Sequence, residues 1–166
     1  VCHVTNKVAE YFYVVGKEMW FCAAIAAQTV NDGELMVGLT NAAYTGVLST
    51  KPTDGMWFDK AETATVMTFN ARKATGTATT QATSAVMTAD ETNYYAFHVL
   101  KSGSVEIYSG LSLAAMVLDG TIAVANAGLP DTVKLGITMA VQTGDGTTRY
   151  MLVDELLCVQ EQALAA

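Results

Sequence analysis

The sequence predicts an all-β protein, an antiparallel two-sheet sandwich with jelly-roll connections, and three observations carry that reading. Short apolar segments alternate with period two from Glu18 to Val159, separated by clusters of Gly, Asp, Asn and Thr, which is the pattern of strands and tight turns. Long helical segments do not alternate with them, so a doubly wound α/β fold is a poor fit. No internal repeat of roughly 20 to 50 residues is visible, which argues against a propeller or solenoid, and the long links between some hairpins suit a jelly roll.

About ten strands are expected. Residues 9–15 lead to Gly16. Residues 18–28 form a long strand with Trp20, Cys22, Ala24 and Ala26 on one face and Met19, Phe21, Ala23 and Ile25 on the other. Two apolar faces predict a central strand covered on both sides. Asn31, Asp32 and Gly33 are a hairpin signal, because the favoured turn needs positive φ, and residues 34–40 are the expected partner strand. A loop over 41–53 precedes Asp54 and Gly55, which open a strand at 56–60. Residues 65–72 follow, and the threonine-rich stretch 74–87 reads as an exposed, polar-faced strand pair, since β-branched residues favour extended backbone. Residues 92–100 and 105–108 make a hairpin around Gly103. Residues 111–117 continue as a strand, and Pro130 stiffens the next loop. Residues 133–141 then lead through a glycine-rich link to the final strand at 149–160. The chain 1–166 reads as one domain, with an N-terminal arm at 1–7 and a C-terminal tail at 161–166.

Composition narrows the function classes. A chain of 166 residues buries about 70% of the surface it exposes unfolded, enough for a substantial core. Hydrophobic residues make up 51% and charged residues 15%, where about a quarter charged is ordinary. Either some apolar surface meets another protein or abundant alanine inflates the count. The net charge of −7, with Lys and Arg scattered singly, argues against binding a nucleic acid backbone. The longest apolar run, 19–27, is nine residues, too short for a membrane span of about 18. Residues 1–7 show neither an initiator Met nor a signal-peptide layout, so the start is expected to be processed or incomplete. Cys2, Cys22 and Cys158 are odd in number and far apart, which gives no disulfide framework and no zinc pattern. Free thiols suit synthesis in a cytoplasm, with Cys22 and Cys158 as small buried hydrophobes.

No reactive constellation emerges. A glycosidase on such a sandwich needs two carboxylates roughly 5 to 9.5 Å apart, at i and i+2 or i+4 on one strand face, and no strand carries such a pair. Asp90 and Glu91 sit at a turn, and Asp154 and Glu155 are adjacent, pointing to opposite faces. No enzyme, catalytic residue, cofactor or metal site is therefore expected. Asp154, inside an apolar strand, reads either as a ligand or acid or as a structural carboxylate that is paired or hydrogen-bonded if buried. His3 and His98 are far apart, and His98 reads as a half-buried strand side chain that responds to pH only at an interface. Asp32, Asp54, Asp119 and Asp145 each sit beside Gly. Without alternating acidic ligands they read as tight turns rather than calcium loops. Trp20 and Trp57 lie in apolar runs and read as core rather than as a sugar-stacking platform.

The order of segments also carries a resemblance: KEMWFCAA at 17–24, LMVGLTNA at 35–42, TDGMWFDK at 53–60, LPD at 129–131 and YMLVDEL at 150–156. Over about residues 17–161 this series resembles the tailed-bacteriophage capsid decoration, or cement, proteins with a concanavalin-like jelly-roll fold. The resemblance implies a structural virion protein on the capsid exterior, made in the host cytoplasm, with an acidic residue at Asp154 that accepts hydrogen bonds from a neighbouring loop. Its implied partners are the major capsid protein and further copies of itself. The alternatives are a carbohydrate-binding, lectin-like module displayed on the virion for host-surface adhesion, and a host-encoded lectin-like protein.

Overall fold

The computed structural model describes residues 2–5, 11, 13–31, 33–41, 48, 50–123, 128–131, 133–143 and 149–161. Among them the chain forms β1 (Cys2–Thr5), β2 (Met19–Ala27), β3 (Gly33–Asn41), β4 (Gly55–Lys60), β5 (Val66–Arg72), β6 (Thr79–Val86), β7 (Asn93–Val99) and β8 (Val105–Gly110). A single 3₁₀ turn (Leu113–Ala115) then precedes β9 (Val117–Ile122), β10 (Leu135–Thr143) and β11 (Met151–Gln160). One sheet has the order β1-β10-β3-β4-β5-β6 and the other β11-β2-β7-β8-β9. Every strand pair is antiparallel. The molecule is the jelly-roll sandwich that the period-two pattern predicts.

Alternation along each strand builds the core between the sheets. Phe21, Ala23 and Ile25 of β2 and Tyr95 and Phe97 of β7 face Val37 and Leu39 of β3, Phe58 of β4 and Phe69 of β5, all fully buried. Ring contacts join the two layers, Phe58 to Tyr95 at 5.5 Å and Phe69 to Phe97 at 5.4 Å between centroids. Each such side chain contributes about 1.5–3 kcal/mol by leaving water. Two glycines let β3 and β4 approach closely. A Cβ at Gly38 would lie 2.5 Å from the Trp57 Cα, and one at Gly55 would lie 2.5 Å from the Leu39 carbonyl oxygen.

Several expectations are corrected. The Asn31–Gly33 signal does not make a hairpin: β2 already has β11 and β7 on its two sides, so β3 crosses to the other sheet. Lys60 holds this crossing. Its ammonium is buried and donates to the carbonyls of Val30 (2.6 Å), Ala61 (3.0 Å) and Glu62 (3.3 Å). Residues 1–7 are not simply an arm, because β1 pairs with β10. Of residues 9–15, Tyr11 makes a bridge to Leu135 and Val15 lies in a turn. The stretch 74–87 is one strand preceded by a turn, in which the Arg72 guanidinium donates to the carbonyls of Pro52, Thr75 and Gly76. Residues 111–117 turn instead of extending, because Ser112 Oγ accepts from Ala115 N at 3.2 Å, a local bond that competes with a strand. The strand starts at Val117. The hairpin at Gly103 forms as read, with Leu100 N donating to Ser104 O at 2.9 Å and Gly103 at φ 87°. Of the expected tail, residues 162–166 lie outside the described residues.

Candidate functional site

The face of the five-stranded sheet turned away from the core holds the most distinctive group of side chains. Strand register builds it in rows. One row runs Val159, Trp20, His98, Glu106, Thr121; the next runs Leu157, Cys22, Ala96, Tyr108, Leu118. Because β2, β7 and β8 lie side by side, residues scattered from Glu18 to Glu106 in sequence meet here.

At its centre the Trp20 indole stacks on the His98 imidazole, with centroids 3.6 Å apart and planes 13° from parallel. Tyr108 follows at 6.4 Å from Trp20. Both imidazole nitrogens face carboxylates: Nδ1 is 3.4 Å from Glu106 Oε2 and Nε2 is 3.5 Å from Glu18 Oε2. The Nε2 approach lacks hydrogen-bond alignment, which leaves a buried polar atom unpartnered. Tyr108 OH donates to Glu106 Oε2 at 2.7 Å. Burial, that hydrogen bond and the charge of Glu106 together push the phenol up to about 12, so Tyr108 stays a donor at neutral pH. Three glutamates surround the apolar residues, Glu18 and Glu106 beside His98 and Glu155 on β11 opposite Ala24.

Apolar side chains border this cluster and stay in water. Trp20 is 40% exposed and Leu157 57%, and Val159, Leu152 and Leu118 are exposed as well. This corrects the reading of Trp20 as core and of β2 as covered along its whole outer face, where Ala24 and Ala26 are buried but Trp20 is not; Trp57 is core, as read. Trp57 is buried, but on the outer face of the other sheet, where it packs with Met36, Leu48 and Ala140. The apolar run gave no signal that β2's second face would stay open.

The remaining candidates have structural placements. His98 is more deeply buried than expected, at 8% exposure. Asp154 accepts from Thr92 Oγ1 at 3.3 Å, from the loop before β7 as anticipated, yet it is exposed. A register shift between Val153 and Glu155 leaves Asp154 and Glu155 both exposed instead of on opposite faces. Asp54 accepts from Ala74 N at 2.7 Å and Asp119 from Ser84 N at 2.8 Å, so these two brace backbone. Asp119 does so from within β9 rather than from a turn. Asp32, Asp145 and the side chains of Cys2 and His3 lie outside the described residues. Among the described residues no group of three His, Cys, Asp or Glu could hold a metal ion, and no helix is long and apolar enough to cross a membrane. Burial pushes the thiol of Cys22 up and that of Cys158 up to about 12, which makes both poor nucleophiles. Glu18, just before β2, and Glu106 of β8 flank one imidazole from its two nitrogens. That imidazole lies under an indole.

No family model and no curated protein matches the chain. Solved structures share its architecture. Sheep galectin-11, in complex with glycerol, aligns with a TM-score of 0.56 at 11% identity, over 95% of this chain and 96% of that one. The alginate lyase from Klebsiella pneumoniae aligns with a TM-score of 0.57 at 10% identity, over 87% of this chain and 60% of the enzyme. The receptor-binding domain of botulinum neurotoxin type G aligns with 0.54 at 7%, over 85% of this chain and 34% of that one. These likenesses define the class, a jelly-roll β-sandwich. A galectin, a lyase and a toxin domain sharing one scaffold leave activity to the surface each displays.

Proposed function

We propose that this chain is a non-catalytic structural adhesion protein, a decoration protein that binds the outside of an assembled tailed-phage capsid and stabilises it. The observation that carries the reading is the uncovered outer face of the five-stranded sheet, where Trp20, Leu157, Val159 and Leu118 stay exposed around a packed aromatic and imidazole cluster. Exposed apolar surface of this kind marks a protein-binding site, and a tryptophan at its centre suits an interface anchor. The motif series over residues 17–161 supplies the partner, the major capsid protein. Binding only the assembled lattice stabilises it by mass action, without turnover. The raised thiol of Cys22 on this face is a poor nucleophile, which supports a role without catalysis.

Particles assembled with and without the chain test this. Those lacking it are expected to lose capsid integrity at lower temperature, and Trp20→Ala with Leu157→Asp is expected to abolish retention on the shell. Particles equally stable without the chain would end the proposal.

A second reading, glycan binding, is favoured by one observation: the exposed Trp20 lies beside the polar groups of Glu18, Glu106 and Tyr108, a combination that sugar sites use. The likeness to a galectin supports it. Glycan-array binding by the isolated chain that Trp20→Ala removes would select this reading over capsid adhesion.

A further inference from the structure

We propose that two copies of this chain pair through their β11 edges, antiparallel about a two-fold axis at Leu157, so that the two five-stranded sheets continue as one. The inference rests on strand topology and not on the capsid reading.

The sheet edges are treated differently. The β6 edge is capped by side chains of the other sheet, Ser109 Oγ accepting from Ala85 N at 3.0 Å and Asp119 Oδ1 from Ser84 N at 2.8 Å. The β9 edge is overlain by Gln81, whose side-chain nitrogen donates to Asp119 O at 3.4 Å and whose amide packs on Gly120. The β11 edge, ten residues long, pairs only with β2 among the described residues. Its acidic residues and register shift are confined to residues 153–155, and the half from Leu156 to Gln160 has no charge, Pro or bulge to protect it.

Hydrogen bonding defines which backbone groups are offered. Glu161 N donates to Glu18 O at 2.9 Å, so the alternation of an antiparallel ladder turns Leu157 and Val159 towards β2. The N–H and C=O groups of Leu156 and Cys158 then point to the open edge. Only another strand matches that spacing, and a second copy matches its side chains too. Pairing that keeps inner residues with inner residues places Leu157 opposite Leu157 of the second copy. Leu156 and Cys158 then exchange hydrogen bonds, and Glu155 lies opposite Val159 of the second copy instead of opposite its own like charge. The same register lays the C-terminal end of β11, where Lys17 and Lys101 share the Glu161 carboxylate at 3.6 Å each, beside the acidic bulge at Asp154 of the other copy. Asp154 then faces Gln160 of the second copy, and no two acidic residues lie directly opposite each other.

The register is tested by cysteine scanning of the full chain together with sedimentation velocity. Residue 157 sits on the axis in a pair whose Cα atoms lie about 4.5 Å apart, inside the disulfide range of about 4.4–6.8 Å. Leu157→Cys is therefore expected to form a disulfide-linked dimer at least about tenfold faster than Leu152→Cys or Val159→Cys, neither of which meets its own copy. Leu157→Lys, which sets two like charges face to face at an exposed position, is expected to sediment as a monomer where the wild type is a dimer. A wild-type monomer at the highest soluble concentration overturns the proposal, as does equal cross-linking at all three positions. Should Leu157→Lys fail to fold, the relative cross-linking rates decide alone.

Discussion

Each sheet carries a tryptophan on the face turned away from the core, and the two have opposite surroundings. On the six-stranded sheet Trp57 is 1% exposed. Leu48 packs over it with Met36 and Ala140, and the Leu48 N–H donates to Gln142 Oε1 at 3.0 Å. Its Nε1 donates to Asp59 Oδ2 at 3.0 Å, which also takes Lys51 at 2.9 Å. On the five-stranded sheet Trp20 has an imidazole beneath it and no such cover. One residue type thus serves as core in one place and as exposed contact surface in the other. The difference lies in whether a side chain such as Leu48 packs over the indole.

That contrast makes ordered predictions. Trp57→Ala is expected to destabilise the protein by about 3–5 kcal/mol in denaturant unfolding, the ordinary loss for a buried tryptophan. A loss as small as that of an exposed residue would mean that the cover does not hold in solution. Asp59→Ala breaks the clasp and leaves the buried indole N–H unpaired, for about 1–3 kcal/mol. Trp20→Ala is expected to lose only about 1 kcal/mol, near the worth of one aromatic pair, while weakening capsid retention far more than either of the others. If Trp20→Ala destabilised as much as Trp57→Ala, the open face would be structural and the adhesion reading would lose its support.

The smallest effect is alkaline. Cys158, half-buried and packed against the core, has its thiol raised from the ordinary 9.0 to about 12, chiefly by burial. A folded value above the unfolded one stabilises the protein fully below pH 9.0 and is lost as pH rises towards about 12. Tyr108 on the open face adds a similar loss starting from its ordinary value of 10.0. Cys22, also raised from 9.0, loses stability in the same direction. Stability followed by urea midpoint should therefore decline across this window, and Cys158→Ala should make the decline shallower. A decline unchanged by that substitution would assign it to other groups.

Much of the sandwich was legible in the chain because alternation of apolar residues is a local property. β2, β4, β5, β7, β10 and β11 all fall where that rhythm placed them, within a few residues at each end. The misreadings share one physical cause. Asn31–Gly33 marks a change of direction, but whether the next strand lies beside β2 or across from it depends on which edges are already taken. The candidate site was hidden for the same reason. Glu18, Trp20, His98, Glu106 and Tyr108 come from three strands, and only pairing brings their side chains together.

Side-chain sequence and turn chemistry were enough to specify strands and two apolar layers, since each depends on neighbours a few residues apart. Which tryptophan stays in water, which edge stays unpaired among the described residues and which carboxylates flank an imidazole were settled by strand order and by the packing of Leu48 on Trp57. Those are long-range arrangements, set by how two sheets bury their greasy sides together, and no short window of sequence contains them.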